Sequence, residues 1–221
     1  MQSVIATMLI DRGAFMTGAF KLKLHETKPD APLSPIYINF RNKDNPKPGP
    51  LQDRDYDLMA LCLLDMIKES SIEYDGMAGI PRAGVPFIDG IRRVVCADRA
   101  DSDWGFRIIP LDKMETAEGR CIIPKAGFKY RPGERVIVID DLVTEAHTKL
   151  EAIRAIEAGG AIVVGLFVML DREQGGRKII EDAGYKLFSA FTITELLQYY
   201  LEAEKITREK YDEIIAYIST N

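Results

Sequence analysis

Cysteine, histidine and tryptophan are scarce in this chain, with three, two and one among 221 residues. Cys62, Cys96 and Cys121 are odd in number, widely spaced and without a Cys-x-x-Cys pair. That pattern excludes a disulfide framework and a zinc site of the usual spacing, and it fits a reducing compartment. No uninterrupted apolar run approaches the roughly 18 residues that a membrane-spanning helix requires. The opening residues, MQSVIATMLIDRG, carry no basic segment followed by a long apolar one; no secretory leader is read there, and a cytoplasmic location is expected. Positive charge is also short, with 29 Lys and Arg against 34 Asp and Glu and a net charge of −5. This argues against a nucleic-acid binder, which needs a basic face, while leaving room for a local basic pocket. Internal repeats and low-complexity tracts are absent.

What is present is 47% apolar residues, ample for a packed core, and one stretch around which the rest is organised. Residues 135–149 read RVIVIDDLVTEAHTK. Val136, Ile137, Val138 and Ile139 form a short β-branched run opened by Pro132-Gly133, the pattern of a parallel strand buried on both faces. The run stops on Asp140 and Asp141, which places two carboxylates at the carboxyl end of a strand, the edge where open α/β sheets bind ligands. A polar loop, residues 144–148, leads into an amphipathic helix over 149–158. Two readings are open at this point. In one, the carboxylates hold hydroxyls or a hard cation such as Mg²⁺ while the loop and helix N-terminus take an anion. In the other, the segment is a solvated turn with Thr144 or Thr148 as N-cap.

Elsewhere the chain alternates helices and strands. Residues 4–10 predict a short helix, and 20–24 and 35–41 predict two strands. They flank a segment, 25–51, too rich in proline for helix. Residues 53–70 predict a helix with Tyr56, Met59, Ala60, Leu63 and Ile67 on one side. A strand at 76–80 breaks into Pro81-Arg82-Ala83-Gly84, a turn that lets backbone approach a phosphate beside a bidentate cation, or else a plain strand–helix turn; 85–95 is helical. Residues 106–111 are strand-like and 112–131 read as polar and irregular. Residues 161–170 predict a central strand ending at Asp171-Arg172. A helix from 179, a strand at 186–190 and helices over 193–203 and 207–218 complete the chain.

The run IVIDDLVT resembles the ribose-phosphate signature of the type I phosphoribosyltransferases, and the chain as a whole is similar to their orotate-specific branch. The likeness extends over GAFKLK at 18–23, SPIYIN at 34–39, GIPRAGVP at 79–86, LDREQGG at 170–176 and FTITELL at 191–197, in that order. It implies an α/β, Rossmann-like type I phosphoribosyltransferase fold: a central parallel sheet flanked by helices, with an N-terminal hood (1–45) and a core that includes the C-terminal helices (46–221). It further implies Mg²⁺-dependent transfer of ribose 5-phosphate from phosphoribosyl pyrophosphate to orotate, and a homodimer sharing a loop across its interface. By the same resemblance Asp140 and Asp141 hold the ribose hydroxyls, directly or through Mg²⁺. Thr144, Glu145, Ala146, His147 and Thr148 surround the 5′-phosphate. Arg82, Ala83, Gly84 and Lys113 meet the pyrophosphate, with Lys113 catalytic alongside the aspartates. Lys23, Tyr37, Ile38 and Arg172 hold the base.

The chain departs from that pattern at three places. Ile38 stands where an aromatic residue is usual. In the loop expected to close over the site, Asp112, Thr116 and Glu118 stand where basic residues are expected, and only Lys113 and a shifted Arg120 are cationic there. In the phosphate loop, Ala146 and His147 stand at glycine positions and Glu145 adds a carboxylate beside a dianion. These departures keep alternatives open: a binding or regulatory protein that holds a phosphoribosyl ligand without turnover, or a transferase for another base.

Overall fold

The computed structural model describes residues 1–22, 25, 29–96, 106–116 and 119–220. In chain order the elements are α1 (Gln2–Asp11), β1 (Phe15–Phe20), β2 (Ser34–Ile38), α2 (Asp53–Glu69), β3 (Gly76–Gly79), α3 (Val85–Cys96), β4 (Arg107–Ile108), β5 (Leu111–Thr116) and β6 (Gly119–Pro124). They continue with β7 (Arg135–Val143), α4 (His147–Ala158), β8 (Ile162–Asp171), α5 (Gly176–Asp182), β9 (Leu187–Thr192), α6 (Ile193–Glu202) and α7 (Arg208–Thr220). They fall into two compact units, Met1–Gln52 with Ile193–Asn221, and Asp53–Thr192.

In the first unit, β1 and β2 form an antiparallel pair, with Phe15 opposite Ile38 and Phe20 opposite Ser34. The strand observed is Phe15–Phe20, earlier than the expected 20–24. Its pairing ends with Phe20 opposite Ser34, where β2 begins. Lys21 and Leu22 are outside it, and residues 23–24 lie outside the described residues. The buried Tyr200 of α6 ties the unit together. Its ring lies 4.7 Å from that of Phe15, and its hydroxyl donates to the Ala6 carbonyl at 2.9 Å.

The second unit holds the central parallel sheet expected from the sequence, five strands in the order β4-β3-β7-β8-β9. Each neighbouring pair is parallel. Helices α6 and α7, expected within a core of 46–221, fall in the first unit. Strand order leaves β3 towards β4 on one side and runs through β7, β8 and β9 on the other. The switch point, where loops diverge and leave a crevice, thus lies between the carboxyl ends of β3 and β7. Strand β7 runs three residues past Asp140 and stays paired with β8 until Val143 meets Asp171. Within the stretch from 112 expected to be irregular, β5 and β6 pair antiparallel, with Lys113 opposite Ile122. Their apolar anchors, Leu111 and Ile122, are buried, and backbone pairing orders the polar residues between them. Among the described residues no helix is long and apolar enough to cross a membrane.

The seat of α4 follows from two periodicities. On β7, residues 136, 138 and 140 share a face because side chains alternate; on α4, residues 149, 152, 153 and 156 form one stripe. Val136, Val138, Ala152, Ile153 and Ile156 pack in one buried cluster. Helices α2 and α3 pack on each other and reach β3, β7 and β8. Replacing Ile153, which is fully buried, by Ala should cost about 2–4 kcal/mol in a urea titration. A loss under about 1 kcal/mol would mean that α4 is not seated as described.

Candidate functional site

Three loops meet at the carboxyl edge of the second unit's sheet, and close backbone approach brings them together. After β3 the chain turns at residues 80–84, with a cis peptide between Pro81 and Arg82. The Gly84 N–H donates to the Ile80 carbonyl at 2.8 Å, and the Ile80 N–H donates to the Ile139 carbonyl at 3.0 Å. A Cβ on Gly84 would stand 2.2 Å from the Ile139 oxygen, so only glycine lets this turn lie against the end of β7. After β8, a Cβ on Gly176 would stand 2.3 Å from the Thr144 oxygen. The Arg172 N–H donates to the Val143 carbonyl at 3.0 Å. Arg82, Ala83, Gly84, Asp140, Asp141, residues 144–148 and Arg172 therefore belong to one sheet edge, with Arg82 exposed and Arg172 partly buried.

The two aspartates diverge. As consecutive strand residues they point to opposite faces of the sheet. Asp140 turns to the α4 face, where its Oδ2 lies 2.7 Å from Lys149 Nζ. Asp141 turns the other way; its charge helps raise the pKa of Tyr56 on α2, an effect due first to burial of that hydroxyl. The Asp141 Oδ1 accepts from the Leu142 N–H at 2.7 Å. Burial, and then the neighbouring Asp140, push the Asp141 carboxyl up from its ordinary 3.8 to about 7. Lys149 is held above its ordinary value by Asp140 and Asp141, which outweigh the burial that opposes them.

The loop after β7 keeps the conformation of the glycine it lacks. Ala146 adopts φ 61°, in the left-handed region that favours glycine, and is the N-cap of α4 with no side-chain cap bond. Its carbonyl accepts the Leu150 N–H, so neither Thr144 nor Thr148 serves as the threonine N-cap considered above. The first N–H groups of a twelve-residue helix thus carry no side-chain cap and face the sheet edge, a ready anion site. Glu145, His147 and Thr148 are exposed, and Thr144 is partly buried.

The remaining expected residues are placed as follows. Lys113 is exposed on β5, in a hairpin tied to α4 where Glu151 accepts the Ile122 N–H at 2.9 Å. Tyr37 and Ile38, both partly buried, belong to the first unit. The Tyr37 ring lies 5.6 Å from that of Phe20 and its hydroxyl accepts from Arg41 at 3.3 Å. Lys23 and Glu118 lie outside the described residues. Asp171 is bonded by Arg177 at 2.7 Å and by the Glu173 N–H at 2.9 Å. Arg177 also reaches the Leu187 carbonyl and Ser189 hydroxyl, clamping α5 to β9.

Sequence reading overlooked Lys149, taken only as a helix start. The signal was available: it shares a helical stripe with Ala152, Ile153 and Ile156, and Asp140 shares a strand face with Val136 and Val138, so the two charges had to meet. The residues present fit poorly as a protein-held magnesium site. One Asp140 oxygen is engaged by an ammonium, and the two carboxylates diverge. Among the described residues no group of three or more His, Cys, Asp or Glu side chains converges as a metal site.

Residues 63–198 match the family described as phosphoribosyl transferase domain. The chain is 30% identical over 204 residues to an orotate phosphoribosyltransferase of Pyrococcus abyssi, covering 90% of this chain and 96% of that protein. It is 26% identical to a uridine 5′-monophosphate synthase of Caenorhabditis elegans, covering 94% of this chain but 37% of that protein. Among solved structures, an orotate phosphoribosyltransferase from Aeropyrum pernix superposes with a TM-score of 0.67 at 20% identity, over 88% of this chain and 96% of the other. Leishmania donovani UMP synthase superposes with a TM-score of 0.74 at 24% identity, over 100% of this chain and 42% of the other. The chain thus spans about two-fifths of the length of those synthases and nearly all of the Pyrococcus protein.

The raised Asp141 carboxyl has a consequence for stability. Its folded-state pKa lies above the unfolded value, so the native state loses stability as pH rises from about 4 towards 7. Asp141→Asn removes that loss. The variant should melt higher than wild type at pH 8, with the gain shrinking as pH falls and vanishing below about pH 4. A gain independent of pH would show that the carboxyl is not held protonated by its surroundings.

Proposed function

The chain belongs to the phosphoribosyl transferase family, and from that premise we propose that it is an orotate phosphoribosyltransferase working at the carboxyl edge of its parallel sheet. In this reading it joins ribose 5-phosphate from phosphoribosyl pyrophosphate to orotate, yielding orotidine monophosphate and pyrophosphate. The observation that carries it is the convergence of three strand-end loops, with Gly84 against Ile139 and Gly176 against Thr144.

The roles follow from the positions. The N–H groups at the start of α4, with Thr144 and Thr148, receive the 5′-phosphate. Asp140 and Asp141 receive the ribose hydroxyls from the two sides of β7. Arg82, with the backbone of Ala83 and Gly84, receives the pyrophosphate, and Lys113 serves it from the hairpin. Arg172 receives the orotate carboxylate. The bond from the anomeric carbon to the diphosphate oxygen breaks as the bond to the base nitrogen forms. Positive charge develops on the ribose and negative charge on the leaving diphosphate. The protein contributes placement and charge compensation, and no covalent intermediate is needed. Mg²⁺ enters as part of the substrate, on its diphosphate. The protein acts in the cytoplasm in pyrimidine biosynthesis, as a homodimer.

The Glu145 carboxylate and the sparse basic residues on β5 support a second reading, a protein that binds the same ligand without turning it over. Purified protein with Mg²⁺, phosphoribosyl pyrophosphate and orotate should release pyrophosphate and form orotidine monophosphate. Absent turnover, together with a thermal shift from phosphoribosyl pyrophosphate, would favour the binder instead.

Glu145 is exposed, so its repulsion of a phosphate some 4 Å away is screened to about 1 kcal/mol, against about 4 kcal/mol for a group shielded from water. Glu145→Gln should tighten phosphoribosyl pyrophosphate binding about fivefold by calorimetry. An unchanged affinity would place the Glu145 carboxylate away from the phosphate.

A further inference from the structure

The acidic end of β7 carries its own cation. Lys149 Nζ and Asp140 Oδ2 are 2.7 Å apart, and their side chains are only 11% and 5% exposed. The second oxygen, Asp140 Oδ1, is enclosed and has no hydrogen-bond partner among the described residues. Such a pair is an expensive way to fill space. Two apolar residues of similar volume pack as well or better, because burying both charges costs about what their attraction returns. The neighbours on each element, Val136 and Val138 on β7 and Ala152 and Ile153 on α4, are apolar and buried. On the face that packs against α4, this pair stands at the end of β7 that reaches the sheet's carboxyl edge.

The loop chemistry explains what a cation does there. Two consecutive carboxylates sit at an edge proposed to receive a ribose phosphate and a diphosphate, both strongly negative. A protein-held divalent cation is one remedy. An ammonium anchored three residues into α4 is another, and it engages one carboxylate oxygen while leaving the other as an acceptor for an arriving hydroxyl.

We propose that Lys149 is a positioning residue acting through Asp140: a built-in counter-cation that occupies the place of a protein-bound divalent metal at the strand end and leaves Oδ1 to a ligand hydroxyl. The free protein then recruits no divalent cation at this position, and any cation in the ligated complex is the one borne by the phosphates. The identity of the hydroxyl rests on the ribose-phosphate reading; the behaviour of the free protein towards metal does not.

The test uses Mn²⁺ alone, without substrate, followed by the electron paramagnetic resonance of the unbound ion. Wild type, Lys149→Met, Lys149→Gln, Lys149→Arg and the double variant Lys149→Met/Asp140→Asn are compared, with folding checked by circular dichroism. Lys149→Met should bind Mn²⁺ at least about tenfold more tightly than wild type, since the competing charge is gone. Lys149→Gln should do the same and stands in if the Met variant fails to fold. Lys149→Arg should stay at the wild-type level, and the double variant should return to it. Neutral variants that bind no more tightly than wild type, or a gain that survives loss of Asp140, would overturn the proposal. Failure of turnover in wild type is read in the separate pyrophosphate assay and leaves this comparison intact.

Discussion

The contact on which the carboxyl edge of the second unit's sheet depends is the seat of α4 on β7. The same face that packs Val136 and Val138 against Ala152, Ile153 and Ile156 carries Asp140 to Lys149. Helix register, strand register and the position of the loop between them are therefore one constraint. If α4 rotated by a single residue, the apolar stripe would leave β7, Lys149 would leave Asp140, and the uncapped N–H groups at residues 147–149 would turn from the sheet edge. Ala146 holds the junction in a left-handed conformation, which fixes where the helix axis begins.

Glycine sets the second constraint. At Gly84 and Gly176 the Cβ position is filled by carbonyl oxygens of Ile139 and Thr144, so the loops after β3 and β8 press against the loop after β7. The sheet's order places its switch point between β3 and β7, and the close approaches draw the three loops together there. Electrostatics then divides the labour on β7. Asp140 is compensated from one face by Lys149; Asp141 lies on the other, with its carboxyl raised towards neutrality by burial and by its neighbour.

Much of this was legible in the chain. The β-branched run 136–139 and the apolar run 161–170 gave the two central strands, because strands buried on both faces need no alternation to be seen. The residues that converge on the sheet's carboxyl edge were legible through the motifs at 79–86, 140–148 and 170–176. What was missed depended on partners distant in sequence. The β5–β6 hairpin is polar and is ordered by backbone pairing, which leaves little trace in hydropathy. The first strand ends where Ser34 ceases to offer a partner. Asp171 is paired with Arg177, six residues on in the chain, since its carboxylate faces the clamp between α5 and β9. Lys149 was passed over because a lysine at a helix start is ordinarily solvent-facing, and only the comparison of two faces reveals that this one is not.

The edge formed by residues 80–84, 140–148 and 171–176 is proposed as the place where a phosphoribosyl group binds. A crystal structure of the protein with phosphoribosyl pyrophosphate tests it most directly. The 5′-phosphate is expected on the N–H groups at the start of α4 and the ribose hydroxyls on Asp140 and Asp141. A ligand whose phosphate lies elsewhere, with no contact between its ribose and either aspartate, would contradict it.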